Sequence, residues 1–253
     1  MHPETRGRFR VHNRRPSRQA DEVILVELPD EPRDPESPED TDLYEPIRAV
    51  VPEDSDESTD SAANSVRPGH VIEATLSWEN SDAYLRETTV RRRSQFYFAN
   101  NITGLFRAAS TLWEETRTAG DHMGATATRS TDGDPNGALY VFADPTGRNL
   151  YAELGDGRVP IEPLIDRVNG RRGASERAVF VLQPAGGEFV VVYVVFDPEG
   201  VLAGTVRDTY DLDEHAPRSA GDQGDSDEAA TDSVATLADL GIDSDDQQDF
   251  SGE

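Results

Sequence analysis

The net charge of −26 on this chain is segregated, and that limits which parts of it can fold. Residues 29–60 hold 13 acidic residues against 2 arginines, and residues 213–253 hold 13 against 1, so everything else carries only −3. Both stretches lack apolar periodicity and are filled with Asp, Glu, Ser, Pro and Gly. Such segments cannot bury enough apolar surface to offset the entropy of ordering them, which predicts disorder. The expected organisation is a disordered acidic insertion at 29–45, flexible to about residue 65, and a disordered acidic tail at 213–253. A nearly neutral body is left to build the core.

Within that body, "GRFRV" (7–11), "EVILVEL" (22–28), "PIRAVV" (46–51) and "VIEATLSW" (71–78) read as β-strands. In the last, Val71, Glu73 and Thr75 alternate against Ile72, Ala74 and Leu76, giving one face to water and one to a core. "AYLRETTVRRRSQFYF" (83–98) completes five strands. Nothing between them could make a helical crossover, so antiparallel pairing is expected. Residues 1–100 therefore read as a small β-barrel-like domain of the OB or SH3 kind, with the acidic insertion between its second and third strands.

After residue 100 the period changes. Leu105, Ala109, Leu112 and Thr116 fall at helical spacing, with Thr103 as a cap and Gly120 as a stop, predicting a helix over 104–118. "ALYVFA" (138–143) reads as a strand, "RNLYAEL" (148–154) as a short helix and "PIEPLIDRVNG" (160–170) as a longer one. "RAVFVLQ" (177–183) and "EFVVVYVVF" (188–196) form a hairpin. The second is apolar on both faces, which demands a central, covered strand. "VLAGTVRDTY" (201–210) fits helix or strand, with helix preferred. The whole is α+β, with residues 101–212 as a compact α/β domain. The longest apolar run, 189–196, is far below the roughly 20 residues of a membrane helix. No apolar stretch follows the N-terminal arginines as in a signal peptide, so a cytoplasmic location is expected.

Missing residue types exclude most familiar chemistry. All 24 basic residues are arginine, and cysteine is absent. Without lysine there is no phosphate-loop lysine and no Schiff base; without cysteine there is no thiolate nucleophile, redox pair or thiolate metal site. The histidines at 2, 12, 70, 122 and 215 show no ligand-like spacing, so each reads as a surface or structural residue. "TDGDPNGALYVFAD" (131–144) starts like a calcium loop, but its twelfth position, counted from Asp132, is Ala143 rather than a bidentate carboxylate. A tight turn into the following strand is the better reading. No catalytic residue, metal or cofactor is expected. A hydrolase using carboxylates or a serine that no spacing reveals is an open alternative.

Two segments are candidates for binding. On one continuous strand, Arg91, Arg93, Gln95 and Tyr97 share a face, and arginine beside an aromatic ring suits single-stranded nucleic acid. The rival reading pairs those arginines with the protein's own carboxylates. In the acidic tail, Val234, Leu237 and Leu240 lie three apart in "DSVATLADLGI", a pattern that could fold on a protein partner's groove. Chance apolar residues in a low-complexity tail explain it equally well.

Arginine without lysine fits a GC-rich genome, and the carboxylate surplus fits a salt-accumulating cytoplasm. "ITGLFRAASTLWEETRTAG", "PNGALYVFAD", "IEPLIDRVNG" and "AVFVLQPAGGEFVVVYVVFDPEGVLAGTVRDTYD" resemble a family of haloarchaeal proteins of unknown function over residues 6–28 and 66–211. The resemblance implies a cytosolic halophile protein and brings no activity, cofactor or site. The expectation is a cytosolic, non-enzymatic binding or regulatory protein with a tail directed at a partner; the alternative is a single-stranded nucleic-acid binder using its barrel face.

Overall fold

The computed structural model describes residues 3–15, 20–29, 45–51, 65–145 and 147–212. Most of the acidic insertion and the whole tail, with Val234, Leu237 and Leu240, lie outside the described residues. Those described form an α+β fold of two sheets and four helices, none of the helices long and apolar enough to cross a membrane.

The first sheet contains β1 (Glu4–Arg15), β2 (Glu22–Glu27), β3 (Pro46–Val50), β4 (His70–Glu79) and β5 (Asp82–Arg93). β1 pairs antiparallel with β2 and β4, β2 with β3, and β4 with β5. A parallel pairing of Ala49 with Ala83 and of Val50 with Tyr84 joins β3 to β5, so the pairings close into a ring. The spatial order β4-β1-β2-β3 is that of a Greek key. Alternation sets the inside: Phe9, Val11, Val23, Leu25, Ile72, Leu76 and Leu85 are each at most 1% exposed. Each such burial contributes about 1.5–3 kcal/mol. On β4 the alternation read from sequence holds, with Ile72, Ala74 and Leu76 in the core and Val71, Glu73 and Thr75 outside it.

The expected single strand over 83–98 is two strands. β5 ends at Arg93, and β6 (Gln95–Ile102) joins the second sheet. At the break, the Ser94 hydroxyl accepts the Arg177 N–H at 3.1 Å and the Gln95 N–H donates to the Arg177 carbonyl at 2.8 Å. Partners distant in sequence redirect the chain there, and local alternation carries no trace of them.

The second sheet holds β6, β7 (Met123–Arg129), β8 (Pro135–Ala143), β9 (Ala178–Pro184) and β10 (Phe189–Val195), in the order β6-β9-β10-β8-β7. β10 is central and buried along its length, as its two apolar faces require. Helix α1 (Arg107–Ala119) packs near β7 and β8, and its Trp113 stacks on Phe189 at 4.6 Å. Helix α2 spans Leu150–Gly155, α3 Glu162–Arg172 and α4 Val201–Thr209. The 201–210 segment is thus a helix, and 130–134 is the turn of the β7–β8 hairpin, where the Gly133 N–H donates to the Ser130 carbonyl.

Two compact units result. One contains the described residues of Met1–Tyr97 together with Ala152–Val179; the other contains Phe98–Tyr151 and Phe180–Leu212. The sequence reading grouped 152–179 with the α/β part, whereas this segment packs with the ring. It lies on the outer face of β1–β3: a Cβ on Gly157 would stand 3.3–3.6 Å from Pro46, Ile24 and His12.

Candidate functional site

The site lies on the outer face of the ring and starts from the alternation in β1. Phe9 and Val11 point inward, so Arg8 and Arg10 point out. Arg10 is nevertheless 3% exposed, because α3 covers it. Its Nε stands 3.1 and 3.2 Å from the two carboxylate oxygens of Glu162, and Nη2 is 3.1 Å from Oε2. Nη1 donates to the Gly69 carbonyl at 2.9 Å, and the guanidinium lies 5.3 Å from the centre of the Phe96 ring. Glu162, 1% exposed, opens α3, where the helix dipole also favours negative charge. The fork pairs the guanidinium with both carboxylate oxygens, so this buried ion pair holds the segment in place.

Beside it further arginines crowd the same face. Arg10 pairs in register with Val71, and Val71 with Arg92, which brings Arg92 alongside Arg10 on the outer face. Burial, then the charges of Arg10 and Arg8, hold the half-buried Arg92 guanidinium below its ordinary value; Glu176 and Asp166 offset part of this. Arg177 is 5% exposed, and its Nη2 donates to the Gly173 carbonyl at 3.0 Å. Burial, then Arg172 and Arg92, depress its pKa as well. Arg8 donates one Nη to the Pro29 carbonyl, while its buried Nε meets no partner among the described residues. Positive charge is therefore crowded and partly desolvated here.

The four residues singled out on 91–98 are not gathered on one face. A register shift in β5 between Val90 and Arg92 leaves Arg91 as the extra residue of a bulge, where it pairs with Glu73 at 2.6 Å. Arg93 is exposed and donates its backbone N–H to Glu176 at 2.9 Å. Gln95 and Tyr97 follow the break on β6, the Tyr97 hydroxyl donating to the Gln95 side chain at 3.0 Å. Tyr97 is 7% exposed, so its ring presents no open stacking face.

Two histidines flank the cluster. His12, the extra residue of a bulge in β1, is fully buried; its Nε2 donates to the Leu154 carbonyl, and burial lowers its pKa despite that bond. His70 accepts the Arg67 N–H on Nδ1 at 3.3 Å, and burial, then Arg93 and Arg67, push its pKa down to about 4. A histidine whose folded pKa lies below its unfolded value stabilises fully above the unfolded pKa near 6.5 and loses that stability as pH falls toward about 4. Lowering the pH from 7 to 4.5 should remove roughly 2 kcal/mol on this account, once solvent screening of the Arg67 and Arg93 charges is allowed for. Denaturant midpoints at both pH values check this. His70→Asn, which keeps an acceptor for Arg67, should shrink the drop by that amount; an equal drop in the variant would remove His70 as its cause.

A profile of the family described as "Family of unknown function (DUF6663)" matches residues 1–219. The chain belongs to this family. The match spans both compact units, so the arginine face of this DUF6663 member lies within the family region. No curated protein and no solved structure matches the chain. Sequence reasoning missed Arg8, Arg10, Arg92, Arg172, Arg177 and Glu162. The available signal was the arginine alternation in "TRGRFRV" (5–11), which places three arginines on the face opposite a core residue.

Proposed function

We propose that this chain is a binding protein whose first unit takes a compact oxyanion of the phosphate class on the outer face of its ring. One observation carries the reading: Arg92 and Arg177 are both held below their ordinary pKa by burial and by other arginines, in a chain with 50 acidic and 24 basic residues. Crowding like charges out of water costs free energy, and an oxyanion accepting bidentate hydrogen bonds offsets it. Perturbed groups of this kind cluster at functional sites, which supports the reading. Stacked bases have less support than a bare anion, since Phe96 and Tyr97 are 5% and 7% exposed.

In this reading the five-stranded ring is a small Greek-key barrel of the OB or SH3 kind. The protein works in the cytosol of a salt-accumulating archaeon. Its acidic C-terminal segment, through Val234, Leu237 and Leu240, addresses a protein partner.

The test is thermal unfolding with pyrophosphate at fixed ionic strength. Near-saturating ligand should raise Tm by about 5–10 °C. Arg92→Gln relieves repulsion, so it should raise ligand-free stability by up to about 0.5 kcal/mol while removing most of the pyrophosphate response. A wild-type Tm indifferent to pyrophosphate, or an undiminished response in Arg92→Gln, would sink the proposal.

A further inference from the structure

We propose that a cavity beside the first turn of α4, within the second unit, is a binding site for a small organic cation, with Asp197 as its charge partner. This site is independent of the arginine face and has the opposite charge preference. Its volume of about 440 Å³ falls in the range of small-molecule sites. The start of β8 contributes Asn136, the end of β10 contributes Val195 and Phe196, and α4 contributes Val201 and Leu202. Val195 and Leu202 are buried, whereas Val201 stands 75% exposed at the rim. Among the described residues only Val201 and Met123 are large apolar side chains left so open.

Among the described residues, Asp197 is the one ionisable side chain lining the cavity. Its position is built in by the turn that leads into α4. Oδ1 accepts the Glu199 N–H at 3.1 Å, and Oδ2 lies 2.9 Å from where a Cβ on Gly200 would stand. An anion would meet this carboxylate as a like charge. A purely apolar ligand would strip water from it and return nothing. A cation with an apolar body satisfies both the carboxylate and the Val195, Val201 and Leu202 surface, as alkylammonium and quaternary ammonium compounds do. The Asn136 side-chain oxygen already accepts the Thr128 hydroxyl at 2.8 Å, which leaves its amide NH₂ to donate to a hydroxyl or carbonyl oxygen on the ligand.

Choline and its neutral carbon isostere, 3,3-dimethylbutan-1-ol, separate charge from shape. Titrating each into the full-length chain at fixed ionic strength, followed by NMR, should shift the Asn136, Phe196 and Val201 resonances. Choline should bind about tenfold more tightly than the alcohol. Asp197→Asn keeps an acceptor for the Glu199 N–H and should bring that ratio to about one. If that variant does not fold, Gly200→Ala is read instead: its methyl group displaces the carboxylate without removing it, and should weaken choline selectively. Absence of saturable choline shifts in the millimolar range, equal binding of the two probes, or a preference that survives in the variant read would each overturn the proposal.

Discussion

Glu162→Ala should cost the fold about 3–5 kcal/mol, the expected penalty for stranding one member of a buried ion pair. The variant strands the Arg10 guanidinium, 3% exposed in the parent, with the Gly69 carbonyl and the Phe96 ring as its remaining contacts among the described residues. Urea unfolding gives the number directly. The double substitution Arg10→Met with Glu162→Leu should recover most of the loss or exceed the parent, because matched apolar side chains avoid desolvating two charges. That contrast identifies the role of the pair. It fixes where residues 152–179 sit on the ring and adds little net stability. A loss below about 1 kcal/mol in Glu162→Ala would mean that the pair is not buried as described.

Gly69→Ala should cost about 2–5 kcal/mol, for two reasons that a control separates. Gly69 has φ +94°, which strains any L side chain by about 1–2 kcal/mol. Its Cβ would also stand 2.5 Å from the Ser94 carbonyl oxygen and 2.7 Å from the Gln95 backbone, where nothing flexible can yield. Overpacking of that kind adds roughly 1–3 kcal/mol. Gly133 has a comparable φ of +85° with no atom within 4 Å of its Cβ position, so Gly133→Ala should show the strain alone. Thermal or urea unfolding of both variants gives the difference. Equal losses would show that the loop 67–69 moves aside freely. The larger loss in Gly69→Ala should come with altered chemical shifts at Arg10, whose acceptor is the Gly69 carbonyl.

The elements legible from sequence are those whose cause is local. β4 follows its alternation, β10 follows from being apolar on both faces, and α1 follows Leu112, Ala109 and Thr116 on one side. α1 starts at Arg107, later than the expected 104, because Gly104 has φ +80° and Phe106 is extended. β7 was not legible: "MGATATR" (123–129) has no large alternating residues, and Gly124 admits no side chain beneath Thr116 of α1. The break at Ser94 was hidden because Arg177, 83 residues away, causes it. The arginine cluster was hidden for the same reason, since an outward arginine on β1 looks solvated until α3 is known to cover it. Apart from β7, whose small residues carry no pattern, distance along the chain separates what could be read from what could not.

The link between Arg10 and Glu162 spans 152 residues of chain, with most of the second unit encoded in between. During synthesis at about 5–20 residues per second, β1 waits roughly 8–30 s before its helix partner leaves the ribosome. Throughout that interval Arg10 and Ile24, on the outer flank of the ring, lack the cover that residues 152–179 later supply.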